Sequence, residues 1–127
     1  MGPPLLIDTD VLVDHLRGTL AATEYISAHR DQILLSSMVV AELFAGFRGE
    51  TELAEIESLI SFFRVAPVTL EIAKTAGLLR RTYGKSHGVS LADAILAATA
   101  QHERGELATL NVKHYPMFKG LKPAYTK

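Results

Sequence analysis

Short apolar runs that alternate with helix-patterned segments are the feature that most constrains how this chain can fold. The runs lie at residues 5–7, 32–35, 64–68 and 106–110. The segments between them repeat apolar residues at helical spacing, which is typical of helices with one buried face. Short strands separated by helices pair in parallel, because each helix carries the chain back to the edge where the next strand begins. The pattern therefore predicts an α/β fold built on a parallel sheet.

Polar residues and glycines mark the expected ends of the helices. Ser36 and Ser37 offer an N-cap for the segment MVVAELFAGF, and Ser90 offers one for LADAILAATAQH. Gly46 and Gly49 are expected to close the first of these helices.

Size and composition predict one globular domain over residues 1–127. The chain has 127 residues, of which 48% are hydrophobic, enough for a substantial core. It has no cysteine, which excludes disulfides, thiolate zinc sites, iron–sulfur clusters and cysteine nucleophiles. No apolar run approaches the roughly 20 residues of a membrane-spanning helix. We expect a soluble, cytoplasmic protein without a membrane partner.

The formal net charge of −1 conceals an uneven distribution of charge. Residues 1–63 carry 3 basic and 10 acidic side chains, whereas the remainder carries 10 basic and 4 acidic ones. This distribution excludes a uniformly basic nucleic-acid coat. It is compatible with an acidic pocket bordered by basic residues that hold the backbone of a polyanion.

Three acids stand alone in apolar segments. Asp8 ends the segment PPLLI, Glu42 is the only charge in SSMVVAELFAGF, and Asp93 is the only charge in VSLADAILAATA. An ionised carboxylate in apolar surroundings is costly unless it is paired or bound to a cation. Because no lysine or arginine lies in these segments, we hypothesise that the acids converge on a shared divalent ion. Oxygen ligands select Mg²⁺ or Mn²⁺, which support the hydrolysis of phosphodiesters.

Each of these acids also has a structural explanation. Asp8 could accept backbone N–H bonds at a helix start, and Asp93 could complete a capping box that begins at Ser90. Glu42 lies too far inside its helix to cap it, but it could lie at an exposed edge or pair with a distant arginine. The recurrence of lone acids at strand–helix junctions favours the shared site, because ligands of parallel sheets bind there.

Four segments together resemble the PIN domain family, and most closely its VapC toxins. They are LLIDTDVLVDHL, SSMVVAELFAGF, SLADAILAATA and ATLNVKHYPMF, in family order and across nearly the whole chain. The resemblance implies a three-layer sandwich with a central parallel sheet flanked by helices. It also implies an Mg²⁺- or Mn²⁺-dependent endoribonuclease, a homodimer, and a cognate antitoxin that covers the site.

The family pattern falls on named positions of this sequence. Its three metal-binding acids correspond to Asp8, Glu42 and Asp93, which we expect to be catalytic and to hold the metal. Crowding of these like charges should raise at least one of their pKa values, so that metal binding weakens as pH falls.

Four further positions match residues that support the site in the family. Thr9 and Ser37 supply hydroxyls beside the first two acids, and Thr109 precedes the fourth catalytic position, Asn111. An amide at position 111 departs from the four-acid pattern and supplies no charge. We therefore expect one well-occupied metal ion rather than two.

The segment after the last strand is a candidate contact for RNA. His114, Tyr115 and Phe118 could stack on bases, although core or dimer packing is the stronger expectation for the last two. Solvated charge and phosphate contact are equally good explanations for the basic residues late in the chain, among them Arg80, Arg81, Lys85, Lys113 and Lys119.

Two other functions remain open at this point. The segment LLIDTDVL also resembles the opening of haloacid-dehalogenase phosphatases, with Asp8 as nucleophile and Asp10 as acid, but the later lysine and paired acids of that class are missing. A non-catalytic PIN-fold module that only binds RNA or protein is the second alternative. The survival of all three acids argues against it.

Overall fold

The computed structural model describes residues 2–127, and this range folds into four strands and six helices. In chain order the elements are β1 (Leu5–Ile7), α1 (Thr9–Leu16), α2 (Leu20–His29), β2 (Ile33–Ser36), α3 (Ser37–Gly46), α4 (Gly49–Phe62), β3 (Arg64–Ala66), α5 (Leu70–His87), α6 (Leu91–His102) and β4 (Glu106–Ala108), followed by a 3₁₀ turn (Val112–His114). Among the described residues, no helix is both long enough and apolar enough to cross a membrane.

The four strands form one parallel sheet in the order β3-β2-β1-β4. The chain builds the sheet in one direction from β1 to β3 and then returns to add β4 on the other side of β1. The strand order thus reverses at β1, and the crevice beyond the carboxyl ends of β1 and β4 is where parallel α/β sheets bind ligands. Asp8 directly follows β1 at this point.

Helices flank the central sheet, so the predicted three-layer α/β architecture is confirmed. Strands β1 and β2 are buried along their whole length, as expected for central strands of a parallel sheet. Helix α6 packs on β1 and β4, and α3 packs on α6. A second, smaller core joins α5 to α6 around Ile72, Ala76 and Val89. Helix α6 is therefore held from several sides, which fixes its N-terminus relative to the sheet.

The capping predictions are confirmed at two helices and corrected at one glycine. The Ser36 hydroxyl accepts the Met38 N–H at the start of α3, and the Ser90 hydroxyl accepts the Asp93 N–H at the start of α6. Helix α3 ends at Gly46, but Gly49 opens α4 instead of closing α3. Its φ of 78° lies in the left-handed region, where glycine turns the chain between two helices at little cost.

Strand β4 is shorter than the sequence pattern predicts, since it ends at Ala108 and not at Leu110. The Leu110 N–H donates to Asp10 Oδ2 at 3.1 Å, and the Thr109 hydroxyl donates to Asp8 Oδ2 at 2.8 Å. Beyond Ala108 the chain therefore bonds to the side chains of Asp8 and Asp10 at the β1–α1 junction.

Gly105, which precedes β4, lies against the backbone of Pro4, the residue before β1. A Cβ atom there would come within 2.5 Å of the Pro4 carbonyl oxygen and 3.1 Å of Leu6 Cδ2. Gly105→Ala should lower the free energy of unfolding by about 1 to 3 kcal/mol, because backbone must move to admit the methyl group. Gly77→Ala is the matched control in α5, where a Cβ meets nothing within 4 Å. It should raise stability by about 0.5 to 1 kcal/mol in the same urea titration.

Candidate active site

Asp8 is held at the end of β1 by hydrogen bonds to both carboxylate oxygens. Oδ1 accepts the Thr9 N–H at 2.8 Å, which makes Asp8 the N-cap of α1. Oδ2 accepts the hydroxyls of Thr109 at 2.8 Å and Tyr115 at 2.9 Å. Asp8 therefore has the helix-capping role predicted from the sequence, but this role occupies only its Oδ1 atom. The other oxygen is tied to residues that lie more than 100 positions away.

Asp93 likewise combines a capping role with a place beside Asp8. Its Oδ2 accepts the Ser90 N–H at 3.1 Å and completes the capping box of α6. Its Oδ1 accepts the same Tyr115 hydroxyl that contacts Asp8, at 3.3 Å. His114 Nδ1 lies 3.5 Å from Oδ2. The capping box therefore does not remove Asp93 from the site, and instead orients it at the helix N-terminus.

Glu42, in α3, is connected to Asp8 through Thr9. The Thr9 hydroxyl donates to Glu42 Oε1 at 2.5 Å, across 33 residues of sequence. Glu42 is exposed to solvent, as in the structural alternative that placed it at an exposed edge, so its apolar neighbours in sequence do not bury its charge. Within residues 2–127 it forms no ion pair, and the distant arginine considered from the sequence is not found.

Asp10 is a fourth acid beside the cluster, and the sequence argument assigned it to the phosphatase alternative only. Its Oδ1 accepts the Val11 N–H at 2.8 Å, and its Oδ2 accepts the Leu110 N–H and the Asn111 side-chain amide at 3.1 and 3.3 Å. The amide of Asn111 thus faces a carboxylate. Asp10 fastens the segment after β4 to the start of α1.

The supporting hydroxyls divide into two groups. Thr9 and Thr109 both donate to acids of the cluster, and Thr109 is fully buried. Ser37 does not reach the acids, because its hydroxyl accepts the Val68 N–H at 3.2 Å. It therefore ties the start of α3 to the segment between β3 and α5.

Burial and like charge raise the pKa values of two of these acids. The pKa of Asp8 is raised mainly because burial penalises its ionised form, and the charge of Asp93 adds to this, against the hydrogen bonds from Thr109, Tyr115 and Thr9. Burial, together with the charge of Asp8, raises the pKa of Asp10 to about 6. Crowding of like charges was the expected cause of a raised pKa, but burial contributes more to the raised pKa values of Asp8 and Asp10.

The acids are connected through residues that stand between them. The Tyr115 hydroxyl contacts both Asp8 and Asp93. Thr9 donates its backbone N–H to Asp8 and its hydroxyl to Glu42. In the described part of the chain, no three acidic, histidine or cysteine side chains stand together in an arrangement that holds a metal ion. No lysine or arginine of residues 2–127 forms an ion pair with Asp8, Asp10, Glu42 or Asp93. Within the described residues, the negative charge of the group is therefore not balanced by a lysine or an arginine.

Sequence reasoning missed two participants, for different reasons. Asp10 stands two residues after Asp8 in the same junction, and this spacing was the available signal. Tyr115 was expected to pack in the core, and its ring is indeed buried. No pattern in the sequence indicates that its hydroxyl reaches acids 22 and 107 positions away.

Comparison with known proteins gives the same family by sequence and by structure. The model of the PIN domain family matches residues 5–115. Ribonuclease VapC10 of Mycobacterium tuberculosis is 46% identical over 124 residues, covering 95% of this chain and 92% of that protein. Ribonuclease VapC19 of the same organism is 43% identical over 124 residues, covering 94% and 98%. A toxin-antitoxin complex from Klebsiella pneumoniae contains a chain that superposes with a TM-score of 0.82 at 28% identity, covering 95% of this chain and 98% of that one.

The raised pKa of Asp10 predicts a pH dependence of stability in the absence of metal. A carboxyl whose folded pKa exceeds its unfolded value contributes stability below the unfolded pKa and loses it as pH rises through the folded pKa. The shift of Asp10 from 3.8 to about 6 should therefore lower the free energy of unfolding between about pH 4 and pH 7. After allowance for solvent screening, we expect Asp10 to lower the free energy of unfolding by about 1 to 2 kcal/mol over this pH range.

Urea unfolding in EDTA at several pH values measures this effect. His15 has a lowered pKa and contributes a slope of opposite sign, so the comparison must be made with a variant. Asp10→Asn should lose the part of the pH dependence that Asp10 causes, whatever its absolute stability. Parallel curves for the wild type and the variant would show that Asp10 ionises normally in the folded protein.

Proposed function

The chain belongs to the PIN domain family, and on this premise we propose that it is a divalent-metal-dependent endoribonuclease formed by a single domain. We propose further that it acts as the toxin of a toxin–antitoxin pair. Its relatives from Mycobacterium tuberculosis are named ribonucleases and match it along almost their whole length. The structural observation that carries the proposal is a cluster of four carboxylates at the switch point of a parallel sheet, without a lysine or arginine to balance them among the described residues.

The donor atoms of the acids suit a hard divalent cation by their chemistry, although in residues 2–127 no three of them stand together in a metal-binding arrangement. Asp8, Glu42 and Asp93 offer only oxygen atoms, which Mg²⁺ and Mn²⁺ prefer over softer ligands. Burial raises the pKa of Asp8, and a cation beside it would favour the ionised form again. We propose that these three acids hold the ion, directly or through water. Asn111 adds no charge, and its amide is occupied with Asp10, which supports one ion rather than two.

A divalent cation bound at these acids supplies activation of water and stabilisation of charge on the leaving oxygen during phosphodiester hydrolysis. The protein itself contributes orientation. Asp8 caps α1 and Asp93 caps α6, so the N-terminal ends of two helices lie beside the acids, and their backbone dipoles favour a phosphate group. Glu42 is exposed, so water can reach its carboxylate and be oriented by it.

The proposed substrate is RNA with unpaired nucleotides, whose backbone and bases are accessible to a shallow site. Lys113 is exposed and follows Asn111 by two positions, which places a cation beside the acidic cluster for phosphate contact. His114 is tied to Asp93 in this structure and Tyr115 is buried, so base stacking by these two residues gains no support.

A cognate antitoxin and a second copy of the chain are the proposed protein partners. Solved relatives include toxin–antitoxin complexes, and an arginine or lysine of an antitoxin would complement the unbalanced carboxylates. Large apolar side chains that remain exposed support further contact surfaces. Those with more than half of their surface exposed are Leu20, Phe62, Leu70, Leu78 and Leu91.

Asp93→Asn tests the assignment of this acid with little disturbance of the fold. The asparagine oxygen can still accept the Ser90 N–H, so the capping box of α6 is retained while one negative charge is lost. We expect RNA cleavage to fall by about 100-fold or more, with the circular dichroism spectrum unchanged. Asp14→Asn is the matched control, because Asp14 also accepts a tyrosine hydroxyl but belongs to no part of the cluster. Cleavage by Asp93→Asn at a rate close to that of the wild type would contradict the proposal.

Removal of divalent ions tests the metal requirement and the non-catalytic alternative together. EDTA should abolish cleavage of a labelled single-stranded RNA, and added Mg²⁺ or Mn²⁺ should restore it, because the acids alone have no cation to oppose charge on the phosphate. The same ions should raise the thermal midpoint of the wild type, since they bind only the folded state. A chain that binds RNA but never cleaves it, with or without these ions, would be a binding module.

A further inference from the structure

The hydroxyl of Tyr115 contacts two acids of the cluster at once. It lies 2.9 Å from Asp8 Oδ2 and 3.3 Å from Asp93 Oδ1, while the side chain is only 1% exposed. The ring belongs to the main core, where a phenylalanine would fill nearly the same volume. Packing therefore explains the ring but not the hydroxyl.

Among residues 2–127, the Tyr115 hydroxyl supplies the only hydrogen bond to Asp93 Oδ1, one of the four carboxylate oxygens of Asp8 and Asp93. Asp93 Oδ2 is fixed by the Ser90 N–H, whereas Asp93 Oδ1 has Tyr115 as its hydrogen-bond donor. On Asp8, Oδ1 is fixed by Thr9, and Oδ2 is shared between Thr109 and Tyr115. Loss of the hydroxyl would thus leave Asp8 held on both oxygens and Asp93 held on one.

A phenol between two carboxylates counteracts their mutual repulsion. It has a single proton, which it donates to one acid or shares between the two, and its oxygen atom stands between the carboxylates. The two acids belong to different elements, Asp8 to the end of β1 and Asp93 to the first turn of α6. Without a group between them, like charges would turn the more loosely held side chain of Asp93 outward.

We propose that Tyr115 is a positioning residue that sets the separation and orientation of Asp8 and Asp93 for a divalent cation. This inference rests on the proposed function, since it assumes that the two acids are ligands. It extends that function by giving a positioning role to Tyr115, which is not one of the acids and lies four positions after Asn111. Partners that orient metal ligands in this way typically change metal affinity by roughly 10- to 100-fold when they are removed.

Tyr115→Phe tests the proposal by titration with Mn²⁺, followed by electron paramagnetic resonance of the free ion. We expect the Kd for Mn²⁺ to rise by roughly 10-fold or more. Tyr125→Phe is the matched control, because the Tyr125 hydroxyl also donates to a carboxylate, Asp14 Oδ2 at 2.7 Å, but forms no hydrogen bond with Asp8 or Asp93 among the described residues. Its Kd should equal that of the wild type. The Mn²⁺ concentration for half-maximal RNA cleavage should shift with the Kd of each variant, while the rate of Tyr115→Phe at saturating Mn²⁺ returns to near the wild-type rate.

A second measurement uses the folded wild type and does not depend on the stability of the variant. Binding of Mg²⁺ to acids that contact the phenol should change the near-ultraviolet absorption of tyrosine, and Tyr125→Phe should show the same change. Absence of this change in a wild type that binds Mg²⁺ would overturn the inference. An unchanged or lower Kd for Mn²⁺ in folded Tyr115→Phe would also overturn it and leave the ribonuclease proposal intact. A wild type that binds neither ion would overturn both.

Discussion

The parallel pairing of β4 with β1 is the interaction on which the rest of the site depends. Asp8 donates its N–H to the Ala108 carbonyl at 2.8 Å, so the two strands end side by side. The chain that leaves β4 must therefore pass directly over the start of α1. Thr109 and Tyr115 meet Asp8 there, and Asn111 meets Asp10, across about a hundred residues of sequence. Without this pairing, the first acids of the chain would have neither their hydroxyl partners nor the neighbouring α6.

This arrangement concentrates negative charge where a fold optimised only for stability would avoid it. Carboxylates lie together here, and within residues 2–127 no lysine or arginine pairs with them. Burial raises the pKa values of Asp8 and Asp10, and the charges of neighbouring acids add to this. Perturbed acids in a crevice are characteristic of functional sites, because a ligand can relieve a cost that the empty protein bears. The neutral groups placed between the acids, Thr9 and Tyr115, reduce the repulsion without removing the charge. The proposed cation site rests on this unbalanced charge.

Asp8 and Asp93 each combine a bond at a helix start with a place in the acidic cluster. Asp8 and Asp93 each use one oxygen to satisfy a backbone N–H at a helix start and turn the other toward the shared phenol. A structural explanation and a catalytic one are therefore compatible for these acids. Asn111 is different, since its amide faces Asp10 and supplies no charge. The Asn111 side chain therefore contributes to the neighbouring structure through its hydrogen bond to Asp10.

The sequence by itself determined the class of the fold and the identity of the principal acids. Alternation of short apolar strands with amphipathic helices specifies a parallel sheet, and lone acids at strand–helix junctions are visible because the surrounding residues are apolar. Such signals are local, and local patterns fix helices, strands and their caps. The sequence did not determine that Glu42 would be exposed, that Ser37 would bind Val68, or that β4 would end at Ala108. Only the tertiary structure decided these points and placed the Tyr115 hydroxyl between Asp8 and Asp93, because contacts between distant segments depend on strand order and on how helices pack, which no spacing along the chain records.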